Sequence, residues 1–178
     1  RERGLGHLGG DGRIADHEIG QRLSYVCGDA TAAYGNDLTR FHRHILFVSP
    51  ALFVVLDDVA APRPSSFQWL LHGLEEMAID EGRGTVSLAH AGARLRVRLS
   101  SPQGLWFKQT DLFETPYNAG SPPRFREEQR NHWHFAASTV RPSTETRIGA
   151  ALLVTDDDKE ITWEATVADG WIGASARG

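Results

Sequence analysis

The sequence predicts an all-β protein: a large antiparallel β-sandwich of roughly ten or more strands, with few or no helices. Three observations carry this. Apolar residues recur mostly with period two, turn-forming residues separate the alternating runs, and helical periodicity is nearly absent. With 178 residues, 40% of them hydrophobic, the chain can bury a sizeable core, and a single β-sandwich domain over residues 1–178 is expected.

The elements follow in order. Arg22 to Cys27 alternates. Arg40 to Val48 begins by alternating, with Phe41, Ile45 and Phe47 on one face and His42, His44 and Leu46 on the other. Ala51 to Val59 is a β-branched and aromatic run. Ser49-Pro50 between these two runs reads as the turn of a hairpin, because Pro fixes φ and cannot pair inside a sheet. Further strands are expected over Phe67 to His72, Thr85 to His90, Ala93 to Leu99, His132 to Val140, Thr146 to Val154 and Glu160 to Val167. Arg94, Arg96 and Arg98 alternating with Leu95, Val97 and Leu99 make the clearest two-sided strand. Gly82-Arg83-Gly84, His90-Ala91-Gly92 and Asp156-Asp157-Asp158-Lys159 supply turns. Leu70 to Ile79 also fits a short amphipathic helix, a reading that Gly73 weakens. The Gly-rich start (Gly4 to Gly12) and the Pro-bearing stretch Asp111 to Gln129 read as irregular, the second long enough to be functional or covering.

Charge and composition exclude several classes. Nineteen Lys+Arg against 23 Asp+Glu leave a net charge of −4, with no basic field for nucleic acid. The most apolar window, Ile45 to Val59, is broken by Ser49, Pro50, Asp57 and Asp58, so no membrane insertion is expected. The single cysteine, Cys27, excludes an internal disulfide and a cysteine-built metal cluster; it fits as a small apolar residue. The chain opens at Arg1 with neither start Met nor signal peptide, and reads as a piece of something longer.

Histidine offers the most chemistry. His42 with His44, and His132 with His134, have the spacing that puts two imidazoles on one face of a strand, where both could reach one metal ion or simply line a half-wet sheet face. A cupin metal site would need a Glu about four residues on; Val48 and Ser138 stand there instead. Arg40 and Arg43 suit bidentate recognition of a carboxylate or sulfate, and equally a solvated strand face. Asp57-Asp58 reads as a turn former or a hard-cation ligand pair, and Asp156-Asp157-Asp158 as a solvated turn. The five tryptophans, Trp69, Trp106, Trp133, Trp163 and Trp171, are either core or stacking platforms for sugar rings. Tyr34 and Tyr117 are candidate proton-transfer groups, Tyr117 within the Pro-bearing stretch. No nucleophile elbow, phosphate loop or dinucleotide fingerprint is present.

One set of segments goes beyond pattern: Tyr25-Val26-Cys27-Gly28-Asp29-Ala30-Thr31-Ala32-Ala33-Tyr34, then Arg40 to Pro50, then Phe53-Val54-Val55-Leu56-Asp57-Asp58, then Phe67-Gln68-Trp69-Leu70-Leu71-His72. In order and spacing it resembles the C-terminal region of the heparinase II/III-like polysaccharide lyases, a group that includes oligoalginate lyases. The resemblance implies a β-sandwich that follows an N-terminal (α/α) toroid, in an enzyme that cleaves uronate-containing polysaccharides by β-elimination, in the periplasm or outside the cell. It implies two partners, an acidic polysaccharide or oligosaccharide and the toroid domain. Arg43, His72 and Tyr117 are the expected substrate-side contacts, and no residue matches a catalytic motif of the family. The His-Gly-His-x-Asp segment of the family's metal site is absent, and His7 and His17 do not stand in it. No cofactor or metal is therefore expected in this chain, although zinc or calcium would fit the parent protein. The alternative is a non-catalytic carbohydrate-binding or interdomain structural module.

Overall fold

A computed structural model describes residues 11–112, 132–156, 162–168 and 171–177. The strands are β1 (Arg13–Ile19), β2 (Leu23–Asp29), β3 (Arg40–Val48), β4 (Leu52–Ser65), β5 (Gln68–Gly73), β6 (Ala78–Asp80), β7 (Thr85–His90), β8 (Ala93–Ser100), β9 (Leu105–Thr110), β10 (Trp133–Thr139), β11 (Ser143–Asp156), β12 (Thr162–Ala168) and β13 (Trp171–Arg177). A single 3₁₀ turn, Thr31–Tyr34, lies between β2 and β3. Eight strands form one antiparallel sheet in the order β1-β2-β3-β4-β11-β8-β7-β6, and three form a second in the order β5-β10-β9. The fold is an antiparallel β-sandwich.

The period-two pattern fills the space between the sheets. Val55, Val59, Val86, Val97, Leu99, Ile148 and Ala150 from the large sheet meet Phe67, Trp69, Phe107, Phe135 and Ala137 from the small sheet and its approach. The β12–β13 pair lies against β4, β8 and β11. Val54, Ala151 and Leu153, which point away from the small sheet, are buried there as well. The small sheet does not reach β1, whose seven residues are all exposed.

Ser49-Pro50 turns β3 into β4 as its residue types require, and its peptide bond is cis. β4 runs past Val59 through Pro62 and Pro64, which sit on its exposed end next to a register shift against β11; there a missing N–H costs no ladder bond. The β7–β8 hairpin turns on Ala91 and Gly92, both with positive φ (51° and 81°), as a two-residue loop matched to strand twist demands.

Leu70 to Ile79 is not a helix. Its first half is β5 and its end enters β6. A Cβ at Gly73 would stand 2.7 Å from Leu88 Cδ2, so glycine is there for close packing of strand against strand. The chain from β2 to β4 forms consecutive antiparallel neighbours, whereas β5 crosses to the other sheet.

Candidate functional site

The block that carries the family resemblance builds a corner. Asp29 Oδ1 accepts the Thr31 N–H at 3.0 Å, and Thr31 Oγ1 accepts the Phe41 N–H at 2.9 Å. The Tyr34 ring meets the Phe41 ring edge-on at 5.3 Å. Hydrogen bonds from Thr31, then from the Arg13 guanidinium, pull the Asp29 carboxyl down to about 2. These contacts join the end of β2 to the start of β3.

Beside that corner, on the face turned away from the small sheet, stands a polar cluster. His42 and His44 share the face as the alternation predicts, with ring centroids 6.5 Å apart. The Tyr25 hydroxyl and His44 Nδ1 are 2.8 Å apart, and His42 Nε2 is 3.7 Å from Asp29. Burial, then Cys27, raises the Tyr25 hydroxyl above its ordinary range, which favours its protonated, donating form. Arg40 donates to Asp58 at 3.0 Å and to Glu145 at 3.1 Å. The Tyr25–His44 contact was not foreseen from sequence. The signal lay in register, since Cys27 pairs with His44 and Tyr25 lies two residues along the same face of β2. Among the described residues no three His, Cys, Asp or Glu side chains converge as a metal-binding group.

Asp57 and Asp58 are neither a turn nor a ligand pair. They stand mid-strand in β4 and point to opposite faces, as neighbours in a strand must. Asp58 holds Arg40, and Asp57, 4% exposed, takes a bidentate grip from Arg43 at 2.6 and 2.7 Å. The Arg43 guanidinium also lies 5.7 Å over the Phe41 ring. Arg43 therefore faces inward, engaged by its own domain.

His72 lies elsewhere, on the outer face of the small sheet. Register places His134 directly opposite it, with His134 Nδ1 and His72 Nε2 2.7 Å apart. Burial, then the charge of His72, pushes the His134 imidazole below its ordinary value. Thr110 completes that cross-strand row. The next row outward is Leu70, Ala136 and Lys108, and the last is Gln68, Ser138 and Trp106. Gln68 donates its amide N–H to the Ser138 hydroxyl at 3.1 Å. Of the tryptophans, Trp69 is core at 5% exposure, Trp133 packs against the core, and Trp106 is 46% exposed on this outer face. Arg43 and His72 thus belong to different sheets and different faces, and Tyr117 lies outside the described residues.

The fold and its faces define an antiparallel β-sandwich of the kind carried by polysaccharide lyase structures. The chain is similar to a heparinase III described as the BT4657 gene product, with a TM-score of 0.66 and 11% identity over 93% of this chain and 26% of that one. A form of that heparinase III with methylated lysines gives 0.64 and 11%, over 94% and 27%. The heparan sulfate lyase HepC from Pedobacter heparinus gives 0.59 and 13%, over 89% and 24%. The chain spans about a quarter of the length of these structures. No protein-family model and no curated protein matches the sequence.

Proposed function

We propose that the chain is the β-sandwich domain of a polysaccharide lyase acting on uronate-containing polysaccharides by β-elimination, and that it forms one wall of the substrate cleft. The observation that carries this reading is the likeness of fold to heparinase III over 93% of the chain. The motif order over residues 25–72 points the same way from sequence. The reaction needs three functions: neutralisation of the uronate carboxylate, removal of the C5 proton by a base, and protonation of the leaving glycosidic oxygen by an acid. Tyr25 with His44 has the residue types for proton transfer, and the partner wall would come from an N-terminal toroid. Substrates of this size are met in the periplasm or outside the cell, which is where this reading puts the protein.

The test is to incubate the protein, with its natural flanking sequence, with heparan sulfate, alginate and hyaluronan, and to follow the ultraviolet absorbance of unsaturated uronates. Product from one of these polymers is expected. A folded protein that yields none from any of them overturns the reading. A second reading, a non-catalytic binding or interdomain module, is favoured by one observation. Arg13, Arg40 and Arg43 each donate to carboxylates of their own domain, a use of arginine that builds structure. Binding without product would support it.

A further inference from the structure

The outer face of the three-stranded sheet differs in charge from the chain that carries it. The protein has 23 Asp and Glu and a net charge of −4. Yet the residues that β5, β10 and β9 turn outward include no carboxylate. They include one lysine, Lys108, and the facing imidazoles of His72 and His134. At one end of the same face stands Trp106, 46% exposed, beside the hydrogen-bonded Gln68 and Ser138.

We infer that this face binds an acidic saccharide, with Trp106 as its stacking platform and Lys108 as its charge contact. The chemistry divides the work. The apolar C–H face of a pyranose packs on an indole, and ring hydroxyls exchange hydrogen bonds with an amide such as that of Gln68, which the buried Ser138 hydroxyl holds in place. A carboxylate or sulfate on the same or next ring needs a cation within reach, and Lys108 follows Trp106 by two residues, about 7 Å along the strand on the same face. Ala136 and Ser138 keep the middle strand low between Trp106 and Lys108 on one side and Gln68 and Leu70 on the other. The His72–His134 pair closes the far end, about 14 Å from Trp106 along the strands. Among the described residues of these three strands no outward carboxylate would repel an anionic ligand, and Lys108 would attract one. That the ligand is a saccharide rests on the lyase reading above.

The experiment titrates the isotope-labelled 178-residue chain with a heparan sulfate tetrasaccharide, an alginate tetrasaccharide and the neutral tetrasaccharide of cellulose. The Trp106 indole N–H and the amides of β5, β9 and β10 are followed by NMR. At least one acidic tetrasaccharide is expected to shift the Trp106 indole signal, and the neutral one to bind more weakly. Trp106→Ala and Lys108→Ala should each weaken binding by about tenfold or more. Arg22→Ala, which removes an exposed cation in the turn between β1 and β2, where the small sheet does not reach, should leave it unchanged. Circular dichroism checks that each variant keeps its strand content. The proposal is overturned if neither acidic tetrasaccharide binds, if the neutral one binds as well, or if shifts fall on His42 and His44 instead. It is overturned too if binding survives both substitutions. The lyase reading fails separately, through absence of unsaturated product from the protein with its flanking sequence. A protein that turns over normally with Trp106→Ala keeps that reading and loses this face.

Discussion

Arg43 and Asp57 show how much a single pair of side chains decides. Asp57 is 4% exposed, and both its oxygens are held by Arg43. Removing the arginine leaves a carboxylate in the interior with nothing to replace lost water, so Arg43→Ala should destabilise the fold by about 2–3 kcal/mol, a penalty moderated by the arginine's partial exposure. Replacing both residues with leucine should recover most of that loss. Urea unfolding of the three variants reads both outcomes, and a single substitution without effect would refute the structural role. His134 makes a second residue-scale prediction. Its imidazole is pushed down in the folded chain by burial and by His72, so the unfolded chain takes up that proton first as the pH falls. The stability associated with it is full above the ordinary histidine range, near 6.5, and declines as pH drops through that range toward the lower folded value. The urea midpoint should therefore be lower at about pH 5 than at about pH 7.5, and His134→Gln should shrink the difference. An unchanged difference would show that other groups set the acid limb. Sequence made the residue types visible, but not their partners. The alternation of β3 put His42 with His44, whereas the Asp57–Arg43 and His72–His134 contacts depend on which strands became neighbours.

At the scale of the element, the strands with a strong inward stripe were legible and the others were not. β2, β3, β4, β5, β7, β8, β10, β11 and β12 carry alternating or continuous apolar runs, and each was expected close to where it lies. β1 is exposed along its whole length, so no buried face marks it in sequence. β6 has three residues, too few for a period. β9, with Trp106, Lys108 and Thr110 on one face and Leu105, Phe107 and Gln109 on the other, has an inward stripe interrupted by an amide. Gln109 is tolerated there because it donates to the Met77 carbonyl at 2.7 Å and accepts the Met77 N–H at 3.0 Å, tying β9 to the approach of β6. Sequence also could not say that β5 leaves β4 for another sheet, because crossover is a property of packing. β10 is the hinge of that arrangement, paired on both sides. Its Phe135 is fully buried, 5.3 Å from the Phe107 ring. Phe135→Ala should cost about 3–5 kcal/mol through lost contacts and the cavity left behind. That is a large share of the roughly 5–15 kcal/mol of a typical domain, and guanidinium unfolding should show it as an early transition. A cost below about 1 kcal/mol would mean that the small sheet is not clamped through this ring.

For the whole molecule, the question is whether one sandwich can run an elimination by itself. Carboxylate neutralisation, base and acid must meet within a few ångströms of one sugar ring. The described groups with suitable chemistry are dispersed: Tyr25 and His44 on the outer face of the large sheet, Arg43 turned inward onto Asp57, His72 and His134 on the outer face of the small sheet. Their separation follows from the architecture, because a sheet has two faces and a sandwich commits one face of each to the core. Orientation of reacting groups is worth on the order of 7–11 kcal/mol when complete, and a lone wall open to water forfeits most of it while also screening each electrostatic contact to the enolate-like intermediate. The 178-residue chain by itself should therefore bind acidic saccharide without releasing unsaturated uronate from heparan sulfate, alginate or hyaluronan. On the lyase reading proposed above, a second wall supplied by natural flanking sequence should restore turnover. If the 178 residues alone form product, and Tyr117→Phe or Tyr25→Phe abolishes it, then the complete set of proton-transfer groups lies within this sandwich and the second wall serves only to hold the polymer.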